Sequence, residues 1–184
     1  RENHEGGIST PFIIHWPKGI RVKGELRHQT AHLIDLMPTF VEVAQTEYPA
    51  TFKGRPVLPM EGRSLVPFLN SDQKQPRTLF WEHEGNRAAR VGDWKLVASH
   101  RRPWELYEIK KDRSELNDLA AKHPEKLAEL KAKWEAWAAR VGVREPDYVA
   151  RARAAHRRGK PKPLYLDSDP ANLATKARIE FSSP

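Results

Sequence analysis

The run His4-Glu5-Gly6-Gly7-Ile8-Ser9-Thr10-Pro11-Phe12-Ile13-Ile14-His15-Trp16-Pro17 constrains the fold more than any other stretch. Two adjacent glycines permit a sharp turn, or a close backbone approach that a side chain would block. Pro11 pushes Thr10 toward extended geometry. Phe12-Ile13-Ile14 is short, rich in strand formers and bounded by turn signals, so it predicts a buried strand fed by a glycine-hinged loop. A strand of this kind needs neighbours, yet it stands near the start of the sequence. The expectation is a C-terminal piece of a larger architecture.

A length of 184 residues suits one domain, or a domain with a tail. Cysteine is absent, which excludes a disulfide framework and a thiolate metal site. No apolar stretch is long enough to cross a bilayer as a helix. The net charge of +8 invites a polyanion. Half of it lies in 142–184, where nine Lys or Arg face five Asp or Glu among prolines and little apolar periodicity. That segment reads as a solvated basic tail, extended, or disordered when isolated, and no nucleic-acid partner is expected.

Between these ends the pattern alternates between helix and sheet. Leu33, Leu36, Met37, Phe40, Val41 and Ala44 fall at helical spacing and predict one buried face, with the helix starting near Asp35 as a cap and Pro38 in its first turn. His28 and His32 are four apart, but a helix starting at Asp35 leaves His28 outside it, so capping rather than metal binding is expected there. Residues 45–63 read as an irregular loop, and Ser64–Leu69 as one helical turn. Leu79–His83, Ala88–Val91, Trp94–Ala98 and Trp104–Ile109 are candidate strands, with Gly92-Asp93 a hairpin turn. The last alternates large apolar with charged residues, which predicts a half-buried antiparallel strand. Pro124 opens the strongest helix, 124–141, whose Leu127, Leu130, Trp134, Trp137 and Val141 form one stripe facing the sheet. Trp81, Trp94, Trp104, Trp134 and Trp137 are expected in the core. At the end of the first of these strands, Glu82-His83-Glu84-Gly85-Asn86-Arg87 is either a substrate contact or a polar hairpin tip. In the first case His83, Asn86 and Arg87 are the candidates, with Asn86 and Arg87 bonding hydroxyl or anionic oxygens.

Four stretches, in order, resemble the sulfatases of the alkaline-phosphatase superfamily. The E-G-G-I run entering an H-W-P strand is the first, and His32-Leu-Ile-Asp-Leu-Met-Pro-Thr39 the second. Trp81 to Val97 is similar to the sheet of the sulfatase C-terminal subdomain, and Trp104 to Leu119 to its last strand and the turn into the terminal helix. Together they cover residues 4–142.

The resemblance implies an α/β parent enzyme of the arylsulfatase type that hydrolyses sulfate esters. This chain would hold the end of the catalytic α/β domain (1–45), an α+β subdomain with a small antiparallel sheet packed by the terminal helix (46–142), and the basic tail (143–184). The family nucleophile is a formylglycine made within [CS]-x-P-x-R, and Ca²⁺ is bound by adjacent Asp residues and an Asp-Asn pair. Neither motif is present, and Asn117-Asp118 is reversed. No catalytic residue and no metal ligand is therefore assigned here, and the piece by itself is expected to be inactive. Ca²⁺, the formylglycine and the N-terminal sulfatase domain would belong to the parent. A sulfate-binding Lys would fall just ahead of Arg1, so His4 and Glu5 are candidates to line the site or to orient its residues, the alternative being a loop held by hydrogen bonds. The substrate would be an aryl or carbohydrate sulfate, and a periplasmic or secreted parent is implied. The rival reading is a noncatalytic module that grips a polyanion with its tail.

Overall fold

The structure, a computed structural model, describes residues 2–71 and 76–144. In chain order its elements begin with a single helical turn, α1 (Glu5–Ile8), then a 3-10 turn (Leu33–Asp35) running into α2 (Leu36–Val43). A two-residue hairpin, β1 (Thr51–Phe52) with β2 (Arg55–Pro56), and a second 3-10 turn (Val66–Phe68) follow. Next come β3 (Thr78–His83), β4 (Asn86–Val91), β5 (Trp94–Ala98), β6 (Glu105–Glu108) and α3 (Pro124–Val141). The expected tail lies outside the described residues from 145 onward. The described residues fall into two compact units, one of 2–13 and 76–144 and the other of 14–71.

The first unit is an antiparallel meander, β3-β4-β5-β6, with α3 on one face. Two-residue turns set its register. Glu84 and Gly85 both have positive φ (53° and 88°), which matches the right-handed twist of the strands they join and pairs His83 with Asn86. Gly92, at φ 60°, does the same between Val91 and Trp94. Side chains then alternate by face. Ala89, Leu96 and Leu106 point to α3, where Leu130, Trp134 and Ala138 close the core. Trp81, Ala88, Val97, Tyr107 and Ile109 line the opposite face. α3 starts at Pro124, whose missing N–H has no intrahelical role, and stops at Gly142 in the left-handed region (φ 73°). The expectation of a half-buried strand over 104–109 needs correction, because Leu106 and Tyr107 are both buried and the sheet is covered on each face.

Polar rather than apolar side chains organise the second unit. Asp35 is fully buried. Its carboxylate accepts the N–H of His32 (2.7 Å) and of Arg63 (2.9 Å). Thr39 donates its hydroxyl to the Asp35 carbonyl (2.6 Å) and accepts the Leu65 N–H (2.9 Å). These bonds satisfy backbone groups that burial would otherwise leave unmade. Asp35 thus closes a capping box with His32 one turn earlier than expected, ahead of a 3-10 turn. The chain passes so close that a Cβ on Gly62 would stand 2.0 Å from the Ile34 carbonyl oxygen. Gly62→Ala is expected to cost about 1–3 kcal/mol. Hydrogen exchange at the Arg63 and Leu65 amides would report it, and unchanged protection there would refute this packing.

Two expectations fail. Phe12-Ile13-Ile14 is not a strand and is exposed, Ile13 at 89%. Nor is the apolar face of α2 buried: Leu33 is 77% exposed, Phe40 60% and Met37 52%. The physical reason is common to both. A strand or an apolar helix stripe is specified by its own sequence but buried only by a partner, and among the described residues no strand pairs with 12–14.

Candidate functional site

The face of the sheet opposite α3 carries an unusual side chain. Alternation sends Leu96 toward the helix, so Lys95 projects from the other face, beside its cross-strand partner Tyr107. Lys95 is fully buried. Its Nζ donates to Glu5 Oε1 at 3.0 Å and lies 2.9 Å from Glu115 Oε1. Both carboxylates are buried as well, their side chains 8% and 3% exposed. The Glu5 N–H donates to Glu115 Oε2, so Glu5 is held to Glu115 by its backbone and to Lys95 by its side chain. Charges removed from water persist only when paired, and here Lys95 lies between both carboxylates while Glu115 also accepts the Glu5 N–H through Oε2.

The loop after β6 brings Glu115 there. Asp112 accepts the N–H groups of Asn117 (2.8 Å) and Leu116 (3.0 Å), and these bonds, Asn117's first, hold its carboxyl below the usual carboxylate range. That ring of bonds encloses Glu115, which adopts the left-handed region at φ 55°. Arg113 adds a second tie, donating to Ser9 Oγ at 3.0 Å. Gly7 lets the turn close on the chain that precedes it, since a Cβ there would stand 2.3 Å from the Glu2 carbonyl oxygen.

His4 continues the network along the same face. Its Nε2 lies 3.0 Å from Glu105 Oε2, and the Tyr107 hydroxyl donates to that oxygen at 2.7 Å. An ionised carboxylate only accepts, so His4 carries its proton on Nε2. Burial, then the bond to Glu105, then the charges of Glu105, Asp118 and Glu115 push the Tyr107 phenol far above its ordinary value. A proton held more tightly in the folded than in the unfolded chain stabilises fully below about pH 10, and that contribution fades as the pH rises further. Tyr107→Phe is therefore expected to lose stability less steeply than the parent chain above pH 10. An alkaline titration followed by phenolate absorbance should lose its latest step in that variant. An unchanged late step would assign it to another tyrosine.

The structure brings four of the five candidate residues to this face and sends the fifth to the other. His4 and Glu5 sit as described. Asn86 is a junction: it donates to the His83 carbonyl (2.9 Å), accepts the His100 N–H (3.0 Å), and its own carbonyl accepts the Asn3 side chain (2.9 Å). His83 is exposed at the end of β3. Arg87 points toward α3, its guanidinium 4.5 Å from the Trp104 ring centre and 5.8 Å from that of Trp134. Lys95 and Glu115 escaped the sequence reading. The available signal was a lysine centred in Trp94-Lys-Leu-Val-Ala98, an otherwise apolar strand, where a charge demands a buried partner.

The described residues do not fit a Ca²⁺ site. Among the described residues no group of three or more His, Cys, Asp or Glu could hold a metal ion. Asp118, the nearest approach to an expected motif, spends Oδ1 on the N–H groups of Leu106 and Ala120. Among the described residues no helix is long and apolar enough to cross a membrane.

Comparison with known proteins places this arrangement. Residues 1–139 match the profile of the family described as N-sulphoglucosamine sulphohydrolase, C-terminal. An uncharacterised sulfatase of Schizosaccharomyces pombe is 33% identical over 156 residues, which cover 79% of this chain and 28% of that protein. The N-acetylglucosamine-6-O-sulfatase of Bacteroides thetaiotaomicron is 29% identical over 119 residues, 61% of this chain and 21% of that one. The crystal structure of Ps i-CgsB superposes with a TM-score of 0.52 at 24% identity, covering 67% of this chain and 27% of that one, a likeness of fold. The chain thus spans about a quarter of the length of these relatives.

Proposed function

This chain belongs to the sulfatases, in the family of the N-sulphoglucosamine sulphohydrolase C-terminal domain, and from that premise we propose that it is the C-terminal part of an enzyme hydrolysing sulfate esters. The match over 1–139 carries the reading. The exposed apolar face of α2 and the unpaired Phe12-Ile13-Ile14 support it, since both are surfaces that the rest of a sulfatase fold would cover. The formylglycine nucleophile and Ca²⁺ belong to sequence outside these 184 residues. When bound, the metal would supply charge stabilisation at the sulfuryl oxygens.

This chain's own residues build one wall of the pocket. His83, exposed beside the Asn86 junction, contacts the substrate. Asn86 holds His83 and the His100 loop in register, and Arg87 packs the root of the hairpin against Trp104. Glu5 orients the turn that carries His4. A relative named for N-acetylglucosamine 6-O-sulfate makes a carbohydrate sulfate the first substrate to test.

Two proteins decide it, the 184-residue chain and the polypeptide extended upstream of Arg1. Only the extended form is expected to release sulfate from N-acetylglucosamine 6-sulfate or an aryl sulfate. Ca²⁺-dependent turnover by the 184 residues alone would defeat the assignment as a noncatalytic part. A full-length polypeptide inert toward every sulfate ester would defeat the sulfatase reading itself.

A further inference from the structure

Glu5, Lys95 and Glu115 come from three remote parts of the chain, Glu5 standing 90 positions from Lys95 and 110 from Glu115. A single helical turn containing two glycines has no stability of its own. Its internal bonds, Gly7 N–H to the His4 carbonyl and Ser9 N–H to the Glu5 carbonyl (both 2.8 Å), persist because Glu5 is anchored at both its side chain and its N–H. Lys95 has no access to water and cannot trade partners with it. Undocking the turn would leave a buried ammonium with one carboxylate and would expose Glu5, so the turn has one docked position. His4, adjacent to the anchor, is delivered by it to Glu105.

We propose that Lys95 and Glu115 are positioning residues for the sulfate-ester site: acting through Glu5, they fix the turn that carries His4 to the face of the sheet opposite α3. The inference rests on the functional reading above, and the test keeps the two separable. Hydrogen exchange on the 184-residue chain compares the Gly7, Ile8 and Ser9 amides with those of β4 and β5. Glu115→Ala is expected to speed exchange in the turn roughly tenfold or more while the strands stay protected. Glu115→Gln keeps an oxygen for the Glu5 N–H but turns its NH₂ toward the Lys95 ammonium, so it is expected to restore protection only in part. In the full-length polypeptide acting on N-acetylglucosamine 6-sulfate, Glu115→Ala should lower kcat about 100-fold with KM nearly constant, the signature of a misplaced group rather than lost binding. Glu115→Gln should recover part of the rate, in step with the protection it restores to the turn.

Turn amides that stay protected in Glu115→Ala, or a released turn with undiminished kcat, would overturn the inference. If the unaltered polypeptide hydrolyses no sulfate ester, the functional reading falls with the positioning role, and the exchange data alone decide whether the clamp exists.

Discussion

Lys95→Met should destabilise the unit of residues 2–13 and 76–144 by about 3–5 kcal/mol, the range for breaking a buried ion pair from one side. The cost arises because Lys95 serves two carboxylates at 3.0 and 2.9 Å, and its removal leaves Glu5 and Glu115 facing each other away from water. Domains are stable by only about 5–15 kcal/mol, so the variant would stand near unfolding at ambient temperature. Urea denaturation followed by tryptophan fluorescence measures it, since five of the six tryptophans lie in this unit. Replacing all three members with apolar residues of similar size should recover most of the loss, because desolvation rather than attraction dominates such a site. That triple variant would keep the sheet and lose the position of the turn. A Lys95→Met cost below about 1 kcal/mol, as for exposed pairs, would mean that water reaches the triad.

Trp134→Ala carries the second large effect, about 3–5 kcal/mol. Trp134 is 7% exposed and sits between sheet and helix. Its ring meets Trp104 edge-on at 5.6 Å and Trp137 at 6.2 Å, and Arg87 lies over it at 5.8 Å. Its indole N–H donates to the Trp81 carbonyl at 3.1 Å, tying α3 to β3. Trp134→Phe keeps most of the apolar volume and loses only the N–H donor to that carbonyl, for an expected loss of about 0.5–1.5 kcal/mol. Equal losses in the two variants would mean that the hydrogen bond, not the packing, holds the helix. The same urea experiment separates them, with the midpoint shifting at constant slope in each.

The sheet and α3 were legible because each is specified by neighbours close in sequence. The turn residues Glu84-Gly85 and Gly92-Asp93 set the registers of β3-β4 and β4-β5, and the Leu127–Leu130–Trp134 spacing aims one face of α3 at whatever covers it. Pro124 and Gly142 mark both helix ends by backbone chemistry alone. The candidate site was only half legible. Polar residues at a hairpin tip drew attention to His83 and Asn86, but nothing in Glu82-His83-Glu84-Gly85-Asn86-Arg87 says that both faces of the sheet are covered, so that Asn86 is spent on loop backbone and Arg87 on tryptophan rings. The burial expected for Phe12-Ile13-Ile14 and for the Leu33–Phe40 stripe failed for the reverse reason, since their patterns are sound and their partners are not among the described residues.

By itself, then, the sequence determined what is local: where strands turn, where α3 begins and ends, which side chains share a face, and the four ordered stretches that resemble the sulfatases. Tertiary structure decided what is not local. It made Glu5 an anchor by placing Lys95 and Glu115 around it, and it made Asp35 the centre of its unit by bringing in the Arg63 N–H. A period of two or 3.6 residues fixes direction within an element, whereas pairing a buried charge across 90 or 110 residues requires that the whole unit close around it.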